Sequence, residues 1–244
     1  MPYLTLLEKS LLFKEASFPA KTGITYSLAG DFSVWQDDKA NEFSLNMRLA
    51  RELTGDGHYH KLIADHGDQI LDANSCGNWN HGDGLIDFDP SFPEKKRSGA
   101  ALFSTTADCP TVVFCSDDQR LIAIVHSGWR GTKADIIPKA LVKIKIDFKI
   151  DLSKVKAVIF PGICDGCYKV GEDVGSFFAE SFQDGYLDLR GFIIRQMNPY
   201  LDQKNIHIVP YCSLHSADGD HRLFESYRFN RTAQRNLVFV ARKT

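Results

Sequence analysis

Charge of one sign is what this sequence has least of: 29 Lys and Arg stand against 31 Asp and Glu, a formal net charge of −2. Without a basic excess there is no overall field to gather a nucleic-acid backbone, so no nucleic-acid partner is expected. Long apolar runs are missing as well. No stretch approaches the roughly 20 residues that cross a bilayer. In the N-terminal segment MPYLTLLEKSLLFKEASF, Glu8, Lys9, Lys14 and Glu15 interrupt the apolar core that a secretory signal needs. The expectation is a cytoplasmic protein with no membrane partner. Cysteine is sparse, six in 244 residues, too few for a disulfide scaffold, which leaves thiols or metal ligands. There are no internal repeats, low-complexity tracts or Pro/Ser/Gly-rich linkers to divide the chain. Its 43% hydrophobic and 25% charged residues are those of an ordinary globular protein, so one domain over residues 1–244 is expected, long enough to bury a sizeable core.

What is present alternates between helical and strand patterns. In NEFSLNMRLARELTG, Phe43, Met47 and Ala50 fall on one helical stripe beside Asn46, Leu49 and Leu53, with Gly55 as the stop. Runs rich in β-branched and aromatic residues follow at 61–64, 100–107, 111–115 and 121–126, with later ones at 155–161, 206–212 and 237–242. Between them, helices are predicted after Thr132, with Pro138 in the first turn or at a kink, near 172–183 and over 188–202. The irregular interleaving favours an α+β layering over a doubly wound parallel sheet.

Two of the strands run into reactive polar residues. ALFSTTADCP leads into Asp108, Cys109 and Pro110, and LIAIVHSGWRG leads into His126 before a Gly-Trp-Arg-Gly turn. A side chain at the end of a buried strand is held rigidly yet faces whatever cleft the loops leave open. Cys109 and His126 can converge from neighbouring strands, and His66 from the turn ADHGDQ would complete a Cys-His-His set of the kind zinc accepts, with one tetrahedral position open. Spacing alone favours the plainer reading, a core thiol and two turn histidines, because no local pair such as HExxH anchors the set. Arg130, four residues after His126, either contacts substrate or pins its loop by pairing with Asp108. Trp129 either stacks on a planar ligand or packs the turn, and Arg228 either binds phosphate with its planar fork or lies on the surface. Cys164 and Cys167 form a CxxC with no second CxxC to complete a metal site, so they read as thiols in a pocket wall. Cys76, Cys115 and Cys212 read as core or turn thiols. His58 and His60 read as loop residues, and His81, His207, His215 and His221 show no partner at ligand spacing.

Taken together and in order, GDGLIDFDP, ALFSTTADCPTVVFC, LIAIVHSGWRGT and PGICDGCYKVGEDV closely resemble the YfiH-like laccase-domain family, from about Asn46 to the end of the chain. The resemblance implies a layered α/β sandwich with mixed sheets, similar to the catalytic domain of cytotoxic necrotizing factor. It implies zinc on His66, Cys109 and His126. It also implies phosphorolysis of adenosine, inosine and methylthioadenosine, with adenosine deamination alongside, so a purine nucleoside and phosphate are the expected partners. Cys109, Asp108 and Arg130 would then be catalytic, Asp108 or Asp65 moving the proton, and Trp129, Arg228 and Arg48 would bind substrate. Three alternatives stay open: a copper-dependent polyphenol oxidase, a metal-free amidase in which His126 activates Cys109, and an inactive binding protein. The chain departs from the family pattern in reading ADHG where QVHG is usual, in placing Met47 between Asn46 and Arg48, and in ending SYRFNRTAQR. The one-residue slip turns Arg48 by about 100° on the helix.

Overall fold

Thr111–Ser116 and Leu121–His126 are buried at every position, the mark of strands covered on both faces. Side chains alternate between the faces. Val112, Phe114, Leu121, Ala123 and Val125 pack into one core, while Val113, Cys115, Ile122 and Ile124 pack into another. Each face therefore meets a layer of its own, helices on one side and a second sheet on the other.

The computed structural model describes residues 8–15, 17–29, 32, 45–94 and 100–243. Its principal strands are β1 (Ser10–Leu12), β2 (Lys21–Thr25), β3 (Tyr59–Ile63), β4 (Ile70–Asp72), β5 (Trp79–His81), β6 (Gly84–Phe88), β7 (Ala101–Thr106), β8 (Thr111–Ser116), β9 (Leu121–His126), β10 (Val155–Ile159), β11 (Ile206–Ile208) and β12 (Asn236–Ala241). They form two six-stranded mixed sheets. The first runs β1-β2-β12-β7-β3-β5, parallel at its β7-β3-β5 end and antiparallel elsewhere. The second runs β11-β10-β8-β9-β6-β4, parallel only at its two outermost pairs. Two short ribbons, at residues 182–187 and 217–222, lie outside the sheets.

The helices are α1 (Leu45–Thr54), α2 (Trp129–Lys133), α3 (Ile136–Ile146), α4 (Glu172–Gly175), α5 (Leu189–Met197) and α6 (Tyr227–Asn230). Asn46, Leu49, Ala50 and Leu53 of α1 are buried, and the apolar three pack on Tyr59, Phe103, Leu237 and Phe239 of the first sheet. Ile137, Leu141 and Ile144 of α3 and Ile193 and Met197 of α5 pack on the outer face of the second. The order of layers is helix, sheet, sheet, helix, the expected α+β sandwich with mixed sheets. No helix among the described residues is long and apolar enough to cross a membrane.

Several boundaries differ from the periodicity. The stripe on α1 centres on Asn46, Leu49, Ala50 and Leu53, with Met47 only half-buried, and Phe43 lies outside the described residues. Gly55 ends this helix at φ +83°, a conformation that glycine adopts without strain. Pro138 sits third in α3, where its missing N–H is tolerated. The predicted helix near 172–183 is α4 followed by a 3-10 segment broken at Phe178, whose φ of −128° is not helical, and the one over 188–202 ends at Met197. Strand 206–212 stops at Ile208, ahead of Pro210, which has no N–H to give a ladder. His60 belongs to β3 rather than to a loop, its ring Nδ1 lying 2.8 Å from the Gly77 carbonyl. β1, β2, β4, β5 and β6, each of three to five residues, were not anticipated.

Candidate metal centre and cavity

Among the described residues the chain passes from the first sheet to the second three times, in the turns β3 to β4, β5 to β6 and β7 to β8. These turns carry His66, Asp83 and Cys109. The start of β8 is paired with the end of β9, Thr111 opposite His126, so the fourth residue arrives at the same rim. The ligand atoms of His66, Cys109 and His126 lie within 4.8 Å of one another, with the two rings edge to face at a 5.1 Å centroid distance. Zinc bonds of about 2.0–2.3 Å put tetrahedral donors roughly 3.3–3.8 Å apart, so an ion would draw the three inward by an ångström or less. Two imidazoles and a thiolate are donors that zinc and copper both accept.

Asp83, which the sequence reading overlooked, holds the set together. Its Oδ1 lies 2.9 Å from His126 Nδ1 and accepts from the His66 amide at 3.0 Å, while Oδ2 accepts from the Gly67 amide at 2.6 Å. The carboxylate thus fixes the ring of His126 with Nε2 left for a ligand, a common support for metal-binding histidine. Burial would raise the Asp83 pKa, but its bonds to His126 and the two amides hold it below the usual carboxylate value. Burial likewise works against a thiolate at Cys109, yet the charge of His126 and hydrogen bonds from both histidines bring that thiol down to about 6. The Cys109 charge and Asp83 in turn outweigh burial at His126 and raise it to about 9.

The glycines of HSGWRG have a steric purpose. A Cβ on Gly128 would stand 3.0 Å from Cys109 Sγ, and one on Gly131 only 2.6 Å from the Gly67 carbonyl oxygen. Bare backbone at both positions lets α2 lie against the turns that carry His66 and Cys109. Thr132 closes this helix, its hydroxyl donating to the carbonyl of Gly128 and lying 2.8 Å from the Ser127 hydroxyl.

The three residues open onto a cavity of about 510 Å³, whose lining includes Trp129, Arg130, Tyr168, Arg228 and Arg235. Arg130 does not pair with Asp108, as the loop-pinning reading expected; its guanidinium lies over the Trp129 ring, 4.4 Å from the centroid. Asp108, at φ +90°, is committed elsewhere. Oδ1 accepts from the Ser213 hydroxyl at 2.6 Å and Oδ2 from the Arg228 amide at 2.7 Å, so it ties the rim loops to the Cys109 turn. Arg228 reaches the Lys169 carbonyl at 2.9 Å and lies 5.2 Å from the Tyr168 ring. Ile163 and Tyr168, from PGICDGCY, do form cavity wall. Arg48 is exposed on α1 and does not line the cavity, as its turn on the helix implied. Asp65 is paired with His81 at 3.1 Å on the surface.

A model of the multi-copper polyphenol oxidoreductase laccase family matches residues 22–243. A purine nucleoside phosphorylase of Clostridium acetobutylicum is 30% identical over 190 residues, 75% of this chain and 76% of that protein. Another, of Staphylococcus epidermidis, is 31% identical over 178 residues, 67% of this chain and 61% of that protein. An adenosine deaminase from an unknown prokaryotic organism is 29% identical over 113 residues, 46% of this chain and 40% of that one. Among solved structures, the YfiH protein of Bacillus licheniformis superposes with a TM-score of 0.74 at 19% identity, over 96% of this chain and 97% of its own. YlmD of Geobacillus stearothermophilus gives 0.73 at 20%, over 96% and 100%.

Proposed function

Because the chain belongs to the multi-copper polyphenol oxidoreductase laccase family, we propose that it is a cytoplasmic, single-domain, zinc-dependent purine nucleoside phosphorylase that acts on adenosine, inosine and methylthioadenosine and also deaminates adenosine. The observation that carries this reading is the convergence of His66, Cys109 and His126 at the floor of a cavity walled by arginines and aromatic rings. The phosphorylase and deaminase names of the relatives support it. A flat base finds faces to stack on at Trp129 and Tyr168. Phosphate finds the guanidinium groups of Arg130 and Arg228, which bind anions through paired N–H donors.

In phosphorolysis a phosphate oxygen bonds to C1′ as the C1′–N9 bond breaks, and that electron pair leaves with the base. Arg130 and Arg228 hold the phosphate beneath the sugar, where its charge meets the cationic character growing on the ribose. Asp108 is a positioning residue, since both its oxygens are engaged in keeping the Cys109 turn and the Arg228 backbone in place. A zinc ion on the three ligands would supply Lewis acidity to either reaction.

A second reading has one observation behind it. Cys109, His126 and Asp83 stand in the order thiol, imidazole, carboxylate, the arrangement of a cysteine nucleophile with an oriented base. Purified protein given adenosine or inosine, with and without phosphate, decides between them. Release of free base and ribose 1-phosphate only with phosphate, abolished by a chelator and restored by zinc, is the expected result. Base release that ignores phosphate would mean a hydrolase. A chelator-insensitive amidase activity with no base release would transfer the site to the nucleophile reading.

A further inference from the structure

The loops after β10 and β11 leave the second sheet side by side, because those strands are parallel neighbours. A bridge between Gly162 and Cys212 prolongs the pairing past the strand ends. The first loop then turns tightly, the amides of Cys167 and Tyr168 both donating to the Cys164 carbonyl at 3.0 and 2.9 Å, which brings Cys164 and Cys167 to one side. The second turns where the Ser216 amide donates to the Cys212 carbonyl at 3.1 Å and the Cys212 amide to the Ser216 hydroxyl at 2.8 Å. The CxxC thereby acquires partners 45 or more residues away.

Sγ of Cys164, Cys167 and Cys212 and a ring nitrogen of His215 all lie within 4.8 Å of one another. His215 Nδ1 is 3.2 Å from Cys167 Sγ and 3.8 Å from Cys164 Sγ, close to the roughly 3.5 Å edge of a tetrahedron with zinc at its centre. The Cys164 amide donates to Cys212 Sγ at 3.3 Å, a contact that stabilises a thiolate. Three thiols cannot all be joined in disulfides with one another, and they are free cysteines here. We propose that Cys164, Cys167, Cys212 and His215 form a second zinc site, closed by four protein ligands and structural in role. A full set of protein ligands leaves no position for substrate. Its work is to staple two loops that build the cavity: Ile163 and Tyr168 line it, and Ser213 holds Asp108.

Elemental analysis of protein made with zinc and then dialysed against zinc-free buffer tests this directly, with two zinc ions per chain expected. Cys109→Ser should keep one of them, and X-ray absorption on that variant should show three sulfur neighbours near 2.3 Å and one nitrogen near 2.0 Å, each to within about 0.2 Å. Cys167→Ser combined with His215→Ala should lose the second ion and keep the first; if that pair fails to fold, Cys109→Ser carries the test alone. The proposal is overturned if Cys109→Ser binds no zinc or binds it without a majority of sulfur neighbours. It is equally overturned if the double variant retains both ions, or if the parent chain has a mass short by two hydrogens through a disulfide among these cysteines.

Discussion

Asp83→Asn probes the least conspicuous part of the site. The substitution preserves volume, so the buried position stays filled, but it converts one acceptor into a donor. With the amide oxygen at the Oδ1 position, the contacts to His126 and to the His66 amide survive. The new NH2 group then faces the Gly67 amide across 2.6 Å, donor against donor. Flipped, the amide would instead oppose the His66 amide, and the ring nitrogen of His126 where it carries its proton. Either orientation leaves a buried N–H without a partner, which costs about 1–3 kcal/mol. Loss of such outer support typically weakens metal affinity or activity about 10- to 100-fold, equivalent to about 1.4–2.7 kcal/mol. Competition for zinc against a chromophoric chelator would measure this, alongside the melting temperature of the metal-free protein. The pH dependence has a defined sign. A carboxylate whose folded pKa lies below its unfolded value contributes stability above the unfolded value near 3.8 and loses it as pH falls through the folded one. Below that range parent and variant should converge. Zinc affinity and melting temperature unchanged by Asp83→Asn at neutral pH would refute the argument.

Arg130→Ala should raise the KM for phosphate roughly 10- to 150-fold, the loss of one charge-assisted contact, and leave the nucleoside KM far less altered; initial rates over a phosphate series will show whether the two part. Gly131→Ala should lower stability by about 1–3 kcal/mol, because its Cβ meets backbone that cannot swing away, and a melting temperature that does not move would contradict the packing described. In metal-free protein the Cys109 thiolate is lost as pH falls through about 6 and its imidazolium partner deprotonates above about 9. Alkylation by iodoacetamide followed by mass spectrometry should therefore be rapid at pH 7.5, slow below pH 6 and blocked by zinc, whereas a profile rising only near pH 9 would mean an ordinary thiol.

The central strands were legible because each carries enough apolar residues to betray burial on its own, as do β8 and β9, both buried at every position. The placement of Cys109 and His126 was legible for a local reason too, since each puts a reactive side chain where an apolar strand ends, whereas their convergence with His66 was not written in the spacing. The short edge strands carried no comparable signal. Nor did Asp83, an aspartate between two glycines in HGDG, which reads like any turn residue until it is seen 43 positions away from the histidine it orients. Asp108 reads as a proton carrier beside Cys109, and its contacts with Ser213 and the Arg228 backbone, 105 and 120 residues on, are visible only in the fold. Cys164 and Cys167 read as mere thiols in a pocket wall, because Cys212 and His215 come from a loop that begins 48 residues after Cys164 on a parallel neighbour. Residue chemistry and burial are written along the chain, one segment at a time. Which polar groups meet is decided by where the two sheets place their turns, and that placement exists only once the layers have packed.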